Sequence, residues 1–167
     1  MANGLIDASI QKAGIPGFPG CLEHAQTIWE TIQVAKKEKK ELDVVWLDLA
    51  NAYGSIPHRA LWFAMDFFRF PVKIMSLLRA YYDQFAMRFS TRKYTTRWQK
   101  LEVGIPMGCT VSPVLFVLAM EVLLRGARAQ IPEVTVLPGV PQPAFRAFMD
   151  DITILSQKHD DTRKGIA

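Results

Sequence analysis

The feature that most constrains the fold is a set of three aspartates that interrupt short apolar segments. Asp48 lies inside Asp43–Leu49, whose sequence DVVWLDL predicts a short and mostly buried strand. Asp150 and Asp151 lie at a tight turn between two further apolar strands. A carboxylate is costly in such surroundings unless it is paired or binds a cation. If the three strands are neighbours in one sheet, the carboxylates converge.

Each of these observations has a common explanation when it is taken alone. An aspartate pair at a turn usually reflects turn chemistry, because its side chains bond to nearby backbone groups. A lone acid in an apolar strand more often marks a strand end or a local ion pair. The joint pattern favours a carboxylate cluster instead, and hard oxygen donors in such a cluster suit Mg²⁺ or Mn²⁺.

Hydrophobic periodicity and turn residues divide the rest of the chain into further elements. The predicted helices are the end of one over Met1–Ala13, then Leu22–Lys37, Ser55–Phe68, Pro71–Asp83 and Ser112–Ala129. The last of these has Ser112 as its cap and a buried front half. The predicted strands are Asp43–Leu49, Phe85–Ser90, Tyr94–Val103, Ala144–Met149 and Asp151–Leu155. The remaining segments are predicted as loops, namely 14–20, 104–110 and 131–143, and the polar end of the chain predicts no closing element.

These elements predict an α+β fold. Its centre is a small antiparallel sheet built from the Asp48 strand and the Asp150 hairpin, backed by the helices after Pro57 and Ser112. A length of 167 residues favours one domain, and a composition that is half hydrophobic is sufficient for a packed core.

Several side chains are assigned to the core rather than to a functional site. One face of the Leu22–Lys37 helix is predicted to be buried, with Leu22, Ala25, Ile28, Trp29, Ile32 and Ala35. Trp46, Trp62 and Phe63 are also predicted core residues. The three histidines, His24, His58 and His159, show no metal-binding pattern, and His58 is predicted to be structural.

A basic segment interleaved with aromatic residues is the best candidate for a nucleic-acid contact. Its cations are Arg88, Arg92, Lys93, Arg97 and Lys100, and its aromatic residues include Tyr94 and Trp98. An exposed hairpin whose arginines keep it in solution explains the same pattern equally well. The run Lys36–Glu41 is more simply a solvated helix end than a second contact of this kind.

The net charge, the cysteine content and the apolar runs of the sequence restrict the partners and the compartment that can be expected. The net charge of +4 permits a polyanionic partner without requiring one. Two cysteines, Cys21 and Cys109, form neither a disulfide framework nor a zinc pattern, which favours a reducing, intracellular compartment. The N-terminus has no signal-peptide pattern. The longest apolar run, Pro113–Met120, is far shorter than the roughly 18 residues that span a bilayer, so no membrane association is predicted.

Four segments resemble the motifs of reverse transcriptases. Phe148–Asp151 is similar to the aromatic-x-Asp-Asp turn of the third palm motif. Asp48–Tyr53, followed by Ser55–His58, resembles the first palm motif in the form typical of non-LTR retrotransposon polymerases. Gly104–Pro113 resembles the second motif, Gly-x-x-Gln-Gly-x-x-x-Ser-Pro, and Gly14–Ala25 resembles the segment that leads into the palm. The motifs occur in the family's order and cover nearly the whole chain.

The resemblance implies RNA-templated DNA synthesis, in which a deoxynucleoside triphosphate is joined to a primer 3′-hydroxyl by two-metal catalysis. Asp48, Asp150 and Asp151 would be the catalytic carboxylates. Asp48 and Asp150 would hold two Mg²⁺ ions, or Mn²⁺, with Asp151 in support. The backbone carbonyl of Leu49 would be a further metal ligand.

The resemblance also assigns substrate-binding residues. Tyr53, five positions after Asp48, would be the ring that blocks a 2′-hydroxyl. The other residues of the nucleotide site would be Gly104, Met107, Gly108, Ser112 and Pro113. Met107 departs from the family pattern because it replaces a glutamine, and methionine cannot supply that residue's amide.

The resemblance further implies a polymerase palm with its fingers and thumb largely missing. Residues 1–41 would be the end of the fingers and the lead-in helices, and residues 42–167 the palm. RNA template, DNA primer and deoxynucleoside triphosphates would be the partners, flanking sequence would encode fingers and thumb, and the chain would be inactive alone. Two alternatives remain, a non-catalytic nucleic-acid-binding or interaction remnant of a decayed retroelement and a maturase-type palm.

Overall fold

A computed structural model describes residues 4–15, 17, 20–136 and 140–166, and predictions for other positions lie outside the described residues. The fold is mixed helix and sheet with small antiparallel sheets, so the predicted α+β class is confirmed at that level. The chain divides into two compact units. The first comprises Met1–Ala50 with Val117–Ala167, and the second comprises Asn51–Phe116.

The described residues form six helices and five strands. The helices are α1 (Leu22–Glu38), α2 (Ala52–Ser55), α3 (His58–Phe67), α4 (Val72–Gln84), α5 (Ser112–Arg128) and α6 (His159–Ile166). The strands are β1 (Asp43–Asp48), β2 (Ala86–Met87), β3 (Gln99–Lys100), β4 (Phe145–Phe148) and β5 (Asp151–Ser156). Most of the predicted elements are therefore found close to their predicted limits. Among the described residues, no helix has the length and apolar composition that a bilayer-spanning segment requires.

The first unit contains a three-stranded antiparallel sheet in the order β1-β5-β4. The strands of the predicted aspartate sheet are therefore neighbours. Side chains on both faces of β4 and β5 are buried. Phe145 and Ile154 lie on one face and Arg146 and Thr153 on the other, because successive side chains of a strand point to opposite faces.

The prediction that β1 is mostly buried is wrong. Its side chains are half-buried or exposed, and Trp46 is 69% exposed. The physical reason is that β1 is an edge strand, with β5 on one side and no strand of the described sheet on the other. The apolar run predicts a strand correctly, but it does not distinguish a central strand from an edge strand.

The predicted helix over Met1–Ala13 is also wrong for its described part. Residues 4–10 form bends and turns, and Gln11 then forms a parallel bridge with Ala147 of β4. Ile10 and Lys12 complete this pairing with backbone hydrogen bonds of 2.8 and 3.2 Å to Ala147. The unpaired edge of β4 thus outweighs the local helical preference, because its backbone groups need partners.

The buried face of α1 differs from the prediction. His24, Thr31 and Ala35 are buried, whereas Leu22 and Trp29 are exposed. The polar residues are accommodated because the His24 ring bonds to the Ile10 carbonyl and the Thr31 hydroxyl bonds within the helix. Further along, Ala35 joins a small core cluster with Val134, Val136 and Leu155.

The polar end of the chain forms a closing helix that the sequence did not predict. Asp43, the first residue of β1, accepts hydrogen bonds at its Oδ2 from Thr162 and from the His159 ring, both at 3.0 Å. Thr162 is buried. A strand-end carboxylate therefore anchors α6, and this contact is between residues too far apart in sequence for periodicity to reveal.

The second unit contains α2, α3, α4, the β2–β3 hairpin and the start of α5. Phe63 is exposed and Trp62 only half-buried, so neither is the core residue that the sequence predicts. The front of α5 is buried as predicted, at Leu115 and Phe116. Ser112 is the first residue of α5 rather than the residue before it, and its hydroxyl is buried.

Candidate active site

Two of the three aspartates lie directly opposite each other across the β1–β5 ladder. Asp48 is the last residue of β1, Asp151 is the first residue of β5, and the two are register partners. Directly opposed residues of an antiparallel pair place their side chains on the same face, with Cβ atoms about 4.5–5.5 Å apart. Both side chains are exposed. The two carboxylates are therefore adjacent and accessible to solvent at one end of the sheet.

Asp150 lies in the two-residue turn that joins β4 to β5. Phe148 and Asp151 are the last paired positions before this turn, which consists of Met149 and Asp150. Met149 has a φ of +57°, and Asp150 is not among the residues with positive φ. This combination matches a type II′ hairpin turn, in which glycine is favoured at the first position. A methionine there is strained and requires support from its surroundings.

Gln11 supplies that support. Its Oε1 accepts a hydrogen bond of 3.1 Å from the Met149 N–H, and its Nε2 donates one of 3.3 Å to the Met149 carbonyl. The same Oε1 also accepts from the Ala13 N–H at 3.0 Å. Gln11 is fully buried. It therefore holds the backbone of the aspartate turn by both of its polar atoms.

Sequence reasoning missed Gln11 because the residue lies in a segment that was predicted to be helical. No motif marks it. The one available signal is a pair of polar residues, Gln11 and Lys12, between Ile10 and the glycine-rich segment, and such residues are common in surface positions.

The donor chemistry of the three aspartates fits a divalent cation that prefers oxygen ligands, such as Mg²⁺ or Mn²⁺. The positions of the three aspartates meet the requirements of such a metal site only in part. The structure opposes Asp48 and Asp151 and places Asp150 in the adjoining turn. Within the described ranges, however, no three His, Cys, Asp or Glu side chains are grouped closely enough to hold a metal ion. Leu49, the predicted carbonyl ligand, directly follows β1 and is half-buried.

The second unit holds the glycine loop that precedes α5. Its backbone is tied to the segment around α2, since Gly104 N–H donates to the Ile56 carbonyl and Ile105 N–H donates to the Tyr53 carbonyl, both at 2.8 Å. Nε2 of His58 lies 2.8 Å from the Gly104 carbonyl, which confirms a structural role for this histidine. The first and second motif segments are thus bonded to each other within this unit.

Gly104 is required by this close approach. Its φ is +85°, and a Cβ atom at this position would lie 2.6 Å from the carbonyl oxygen of Gly54. Gly108 has a similar φ of +88°, but a Cβ there would meet nothing within 4 Å. The first glycine is therefore needed for both space and backbone conformation, and the second for conformation alone.

The other predicted nucleotide-site residues of the second unit differ in exposure. Tyr53 is half-buried and its ring stacks on Phe116, with centroids 4.6 Å apart and planes inclined by 6°. Met107 is 77% exposed at the tip of the loop. Ser112 is buried and Pro113 is half-buried. Met107 is thus the most accessible side chain of this set.

The basic residues lie on an exposed hairpin of the second unit. Its ladder pairs Ala86 with Lys100 and Met87 with Gln99, and a further bridge joins Ser90 to Thr95. All five predicted cations are exposed, namely Arg88, Arg92, Lys93, Arg97 and Lys100. The Arg88 guanidinium lies 4.7 Å from the centroid of the exposed Trp98 ring. This arrangement agrees equally with a nucleic-acid contact and with a solvated hairpin.

Comparison with known proteins identifies the family. The sequence model described as reverse transcriptase (RNA-dependent DNA polymerase) matches residues 4–167. The retrovirus-related Pol polyprotein from type-1 retrotransposable element R2 of Nasonia vitripennis is 28% identical over 165 residues, which are 98% of this chain and 15% of that protein. The chain therefore spans a small part of the length of this relative. Because the family model covers nearly its whole length, this chain belongs to the reverse transcriptase (RNA-dependent DNA polymerase) family.

Proposed function

We propose that this chain supplies the palm of a polymerase that copies RNA into DNA, with Asp48, Asp150 and Asp151 as its catalytic carboxylates. The observation that carries the proposal is the direct opposition of Asp48 and Asp151 across β1 and β5, beside the Asp150 turn. Family membership supports the same reaction. The likeness to an R2 element favours a retrotransposon polymerase as the whole protein.

In this proposal the aspartates hold two divalent cations, Mg²⁺ or Mn²⁺, with the Leu49 carbonyl as a further ligand. Such ions lower the pKa of the primer 3′-hydroxyl and neutralise charge on the leaving pyrophosphate. The protein side chains then position the ions and the substrates, and little general-base chemistry is required of them. Strand register positions Asp48 and Asp151, and Gln11 positions the Asp150 turn.

The second unit supplies the residues that select the nucleotide. Tyr53 acts as the ring that excludes a 2′-hydroxyl, and its stacking on Phe116 fixes the plane of that ring. The Gly104–Pro113 segment forms the loop beside the incoming nucleotide. Met107 offers a thioether where the family has an amide, so contacts at this position are apolar and not hydrogen bonds.

Metal binding tests the carboxylate assignment directly. Titration of this chain with Mn²⁺, followed by electron paramagnetic resonance, is expected to show binding that weakens at least about tenfold in Asp48→Asn and in Asp151→Asn, because each variant removes a charged ligand. The control is Asp83→Asn, an exposed acid of the second unit. Equal binding by all four proteins would contradict the assignment.

Activity is tested in a chimera that carries this chain in place of the matching segment of an active R2-type polymerase. Primer extension on an RNA template is expected to be lost in Asp48→Asn, Asp150→Asn and Asp151→Asn and retained in Asp83→Asn. Extension that persists in all the aspartate variants would reject the catalytic proposal.

A second candidate function is nucleic-acid binding without catalysis, through the exposed cations and aromatic rings of the β2–β3 hairpin. It predicts binding of single-stranded RNA in the presence of a chelator. Replacing Arg92, Lys93 and Arg97 with glutamate is expected to weaken that binding and to reduce its salt dependence. The control is Lys36→Glu and Lys37→Glu on α1.

A further inference from the structure

The first unit contains an open cavity of about 420 Å³ between α1 and the face of the sheet that carries Trp46, Arg146 and Thr153. Its walls are mostly apolar and come from Ala25, Ile28, Trp29, Ile32, Trp46 and Phe148. Trp29 and Trp46 are both exposed on this side. A mostly apolar concavity with a few polar groups is the usual form of a small-molecule site.

The polar part of the lining includes a buried arginine that pairs with no acidic side chain among the described residues. Arg146 is 7% exposed. It donates from one terminal nitrogen to the Ser9 carbonyl at 3.3 Å and from the other to Oε1 of Gln142 at 2.5 Å. Its Nε–H has no hydrogen-bond partner among the described residues. A buried guanidinium without a carboxylate is costly, so an external anion would be stabilising here.

His24 adds a second unsatisfied atom to the same lining. The residue is 4% exposed, and its Nε2 lies 2.8 Å from the Ile10 carbonyl. Because a carbonyl accepts, Nε2 carries the proton of the neutral ring and Nδ1 is left as an acceptor. Nδ1 is buried and has no hydrogen-bond partner in the described part of the chain. Burial and the nearby Arg146 charge lower the pKa of His24 to about 4, so the ring is neutral at pH 7.

We propose that this cavity binds an organic anion, a compound that joins a carboxylate, sulfonate or phosphate to an aromatic body. The anionic group pairs with the Arg146 guanidinium and the rings lie against Trp29 and Trp46, since all three residues line the cavity. Asp151 also lines the cavity. It is two strand positions from Thr153, the register partner of Arg146, or roughly 7 Å along β5. A bound anion therefore has room beside Arg146 without direct contact with that carboxylate.

The inference does not depend on polymerase activity, because the test measures binding alone. The probe is 8-anilinonaphthalene-1-sulfonate, which carries a sulfonate and an adjacent N–H on an aromatic body. Its neutral analogue, N-phenyl-1-naphthylamine, has the same rings and N–H without the charge. Fluorescence titration of the chain is expected to show the sulfonate binding at least about tenfold more tightly, as a charge-assisted hydrogen bond predicts.

The variant Arg146→Met is expected to remove this preference while the neutral analogue binds as before. The matched control is Arg163→Met, an exposed arginine of α6 in the same unit. Energy transfer from tryptophan to the probe is expected to fall in Trp46→Phe, because that ring lines the cavity.

A second variant keeps the inference testable if Arg146→Met fails to fold. Ala25→Trp fills the cavity from an exposed position of α1, and it is expected to lower the affinity for both probes at least about tenfold. Two results would overturn the inference. One is equal affinity of the wild-type chain for the charged and neutral probes, which would mean that the Arg146 charge attracts no anion to this cavity. The other is unchanged sulfonate binding in Ala25→Trp, which would place the probe elsewhere.

Discussion

At the scale of single residues, three buried polar side chains of the first unit have roles that can be tested separately. Gln11 holds the aspartate turn, and His24 and Arg146 line a cavity with unsatisfied atoms. Gln11 and Arg146 belong to no motif of the sequence, whereas His24 lies in Gly14–Ala25, the segment that resembles the lead-in to the palm. Their roles arise from the groups that surround them in the fold.

Replacing Gln11 with alanine is expected to destabilise the first unit by about 2–4 kcal/mol. The variant removes three hydrogen bonds of a fully buried side chain, two with the Met149 backbone and one with the N–H of the buried Ala13, and each is worth about 0.5–1.5 kcal/mol. Urea unfolding measures the change. Gln11→Glu, which keeps the acceptor and loses the donor, is expected to fall between alanine and wild type. A loss below about 0.5 kcal/mol in the alanine variant would show that Gln11 does not hold the turn.

The buried His24 is expected to make the protein less stable in mild acid. Its pKa is about 4 in the folded chain against 6.5 for an ordinary histidine, mainly because of burial and next because of Arg146. Between these pH values the unfolded chain binds more protons, so the free energy of unfolding rises with pH. The 2.5-unit difference corresponds to at most about 3 kcal/mol.

Denaturant unfolding from pH 4 to pH 7 measures this dependence. In His24→Gln the amide can still donate to the Ile10 carbonyl, but nothing titrates, so the slope between pH 4 and 6.5 is expected to flatten. An equal slope in the variant would assign the acid sensitivity to other groups.

Tyr53 is expected to control the choice of sugar. In a complete polymerase that carries this segment, Tyr53→Val should raise the ratio of ribonucleotide to deoxynucleotide incorporation, because the ring no longer fills the 2′ side. Tyr53→Phe retains the ring that stacks on Phe116, so it should keep the wild-type ratio. An unchanged ratio of ribonucleotide to deoxynucleotide incorporation in the valine variant would show that Tyr53 has only a structural role.

At the scale of elements, the two units use different means to fix their functional segments. In the first unit, the pairing of β1 with β5 places Asp48 directly opposite Asp151. In the second, backbone hydrogen bonds and a glycine contact tie the loop before α5 to the segment around α2.

The glycine contact predicts unequal effects of two similar substitutions. Gly104→Ala is expected to destabilise the protein by about 2–4 kcal/mol, since it adds a clash with the Gly54 carbonyl to the strain of a positive φ. Gly108→Ala carries the strain alone and is expected to cost about 1 kcal/mol. Thermal unfolding of both variants measures the difference. Equal losses would show that the Gly104–Gly54 approach is not tight in solution.

At the scale of the whole molecule, the 167 residues are expected to extend a primer too slowly to detect. Metal binding stabilises charge, but the rate also depends on aligning primer and triphosphate, which is worth roughly 7–11 kcal/mol of barrier. In the family, fingers and thumb provide that alignment. The chain covers 15% of its R2 relative, so most of that protein lies outside the match.

Primer extension by this chain on an RNA template, with Mg²⁺ and with Mn²⁺, measures this directly. The double variant Asp150→Asn, Asp151→Asn is the control for contaminating polymerases. Extension by the wild-type chain that disappears in the double variant would show that these 167 residues alone align their substrates.

The sequence alone determined the family, the order of the motifs, the α+β class and most element limits. These properties depend on local patterns such as a short apolar run, helical periodicity or a proline at a helix start, and local patterns can be read along the chain. The position of Asp150 in a turn followed from the same patterns, whereas Asp48 was predicted inside its strand and is the last residue of β1.

Only the tertiary structure decided which strand is an edge, which face of α1 is buried, and what supports the aspartate turn. Trp46 is exposed because β1 lies at the sheet edge, and residues 4–13 are not helical because part of this segment pairs with β4. Gln11 and Met149 are joined by two hydrogen bonds although they are 138 positions apart in the sequence. Such contacts depend on which distant segments come together in the fold, and the local sequence around a residue does not indicate its distant neighbours.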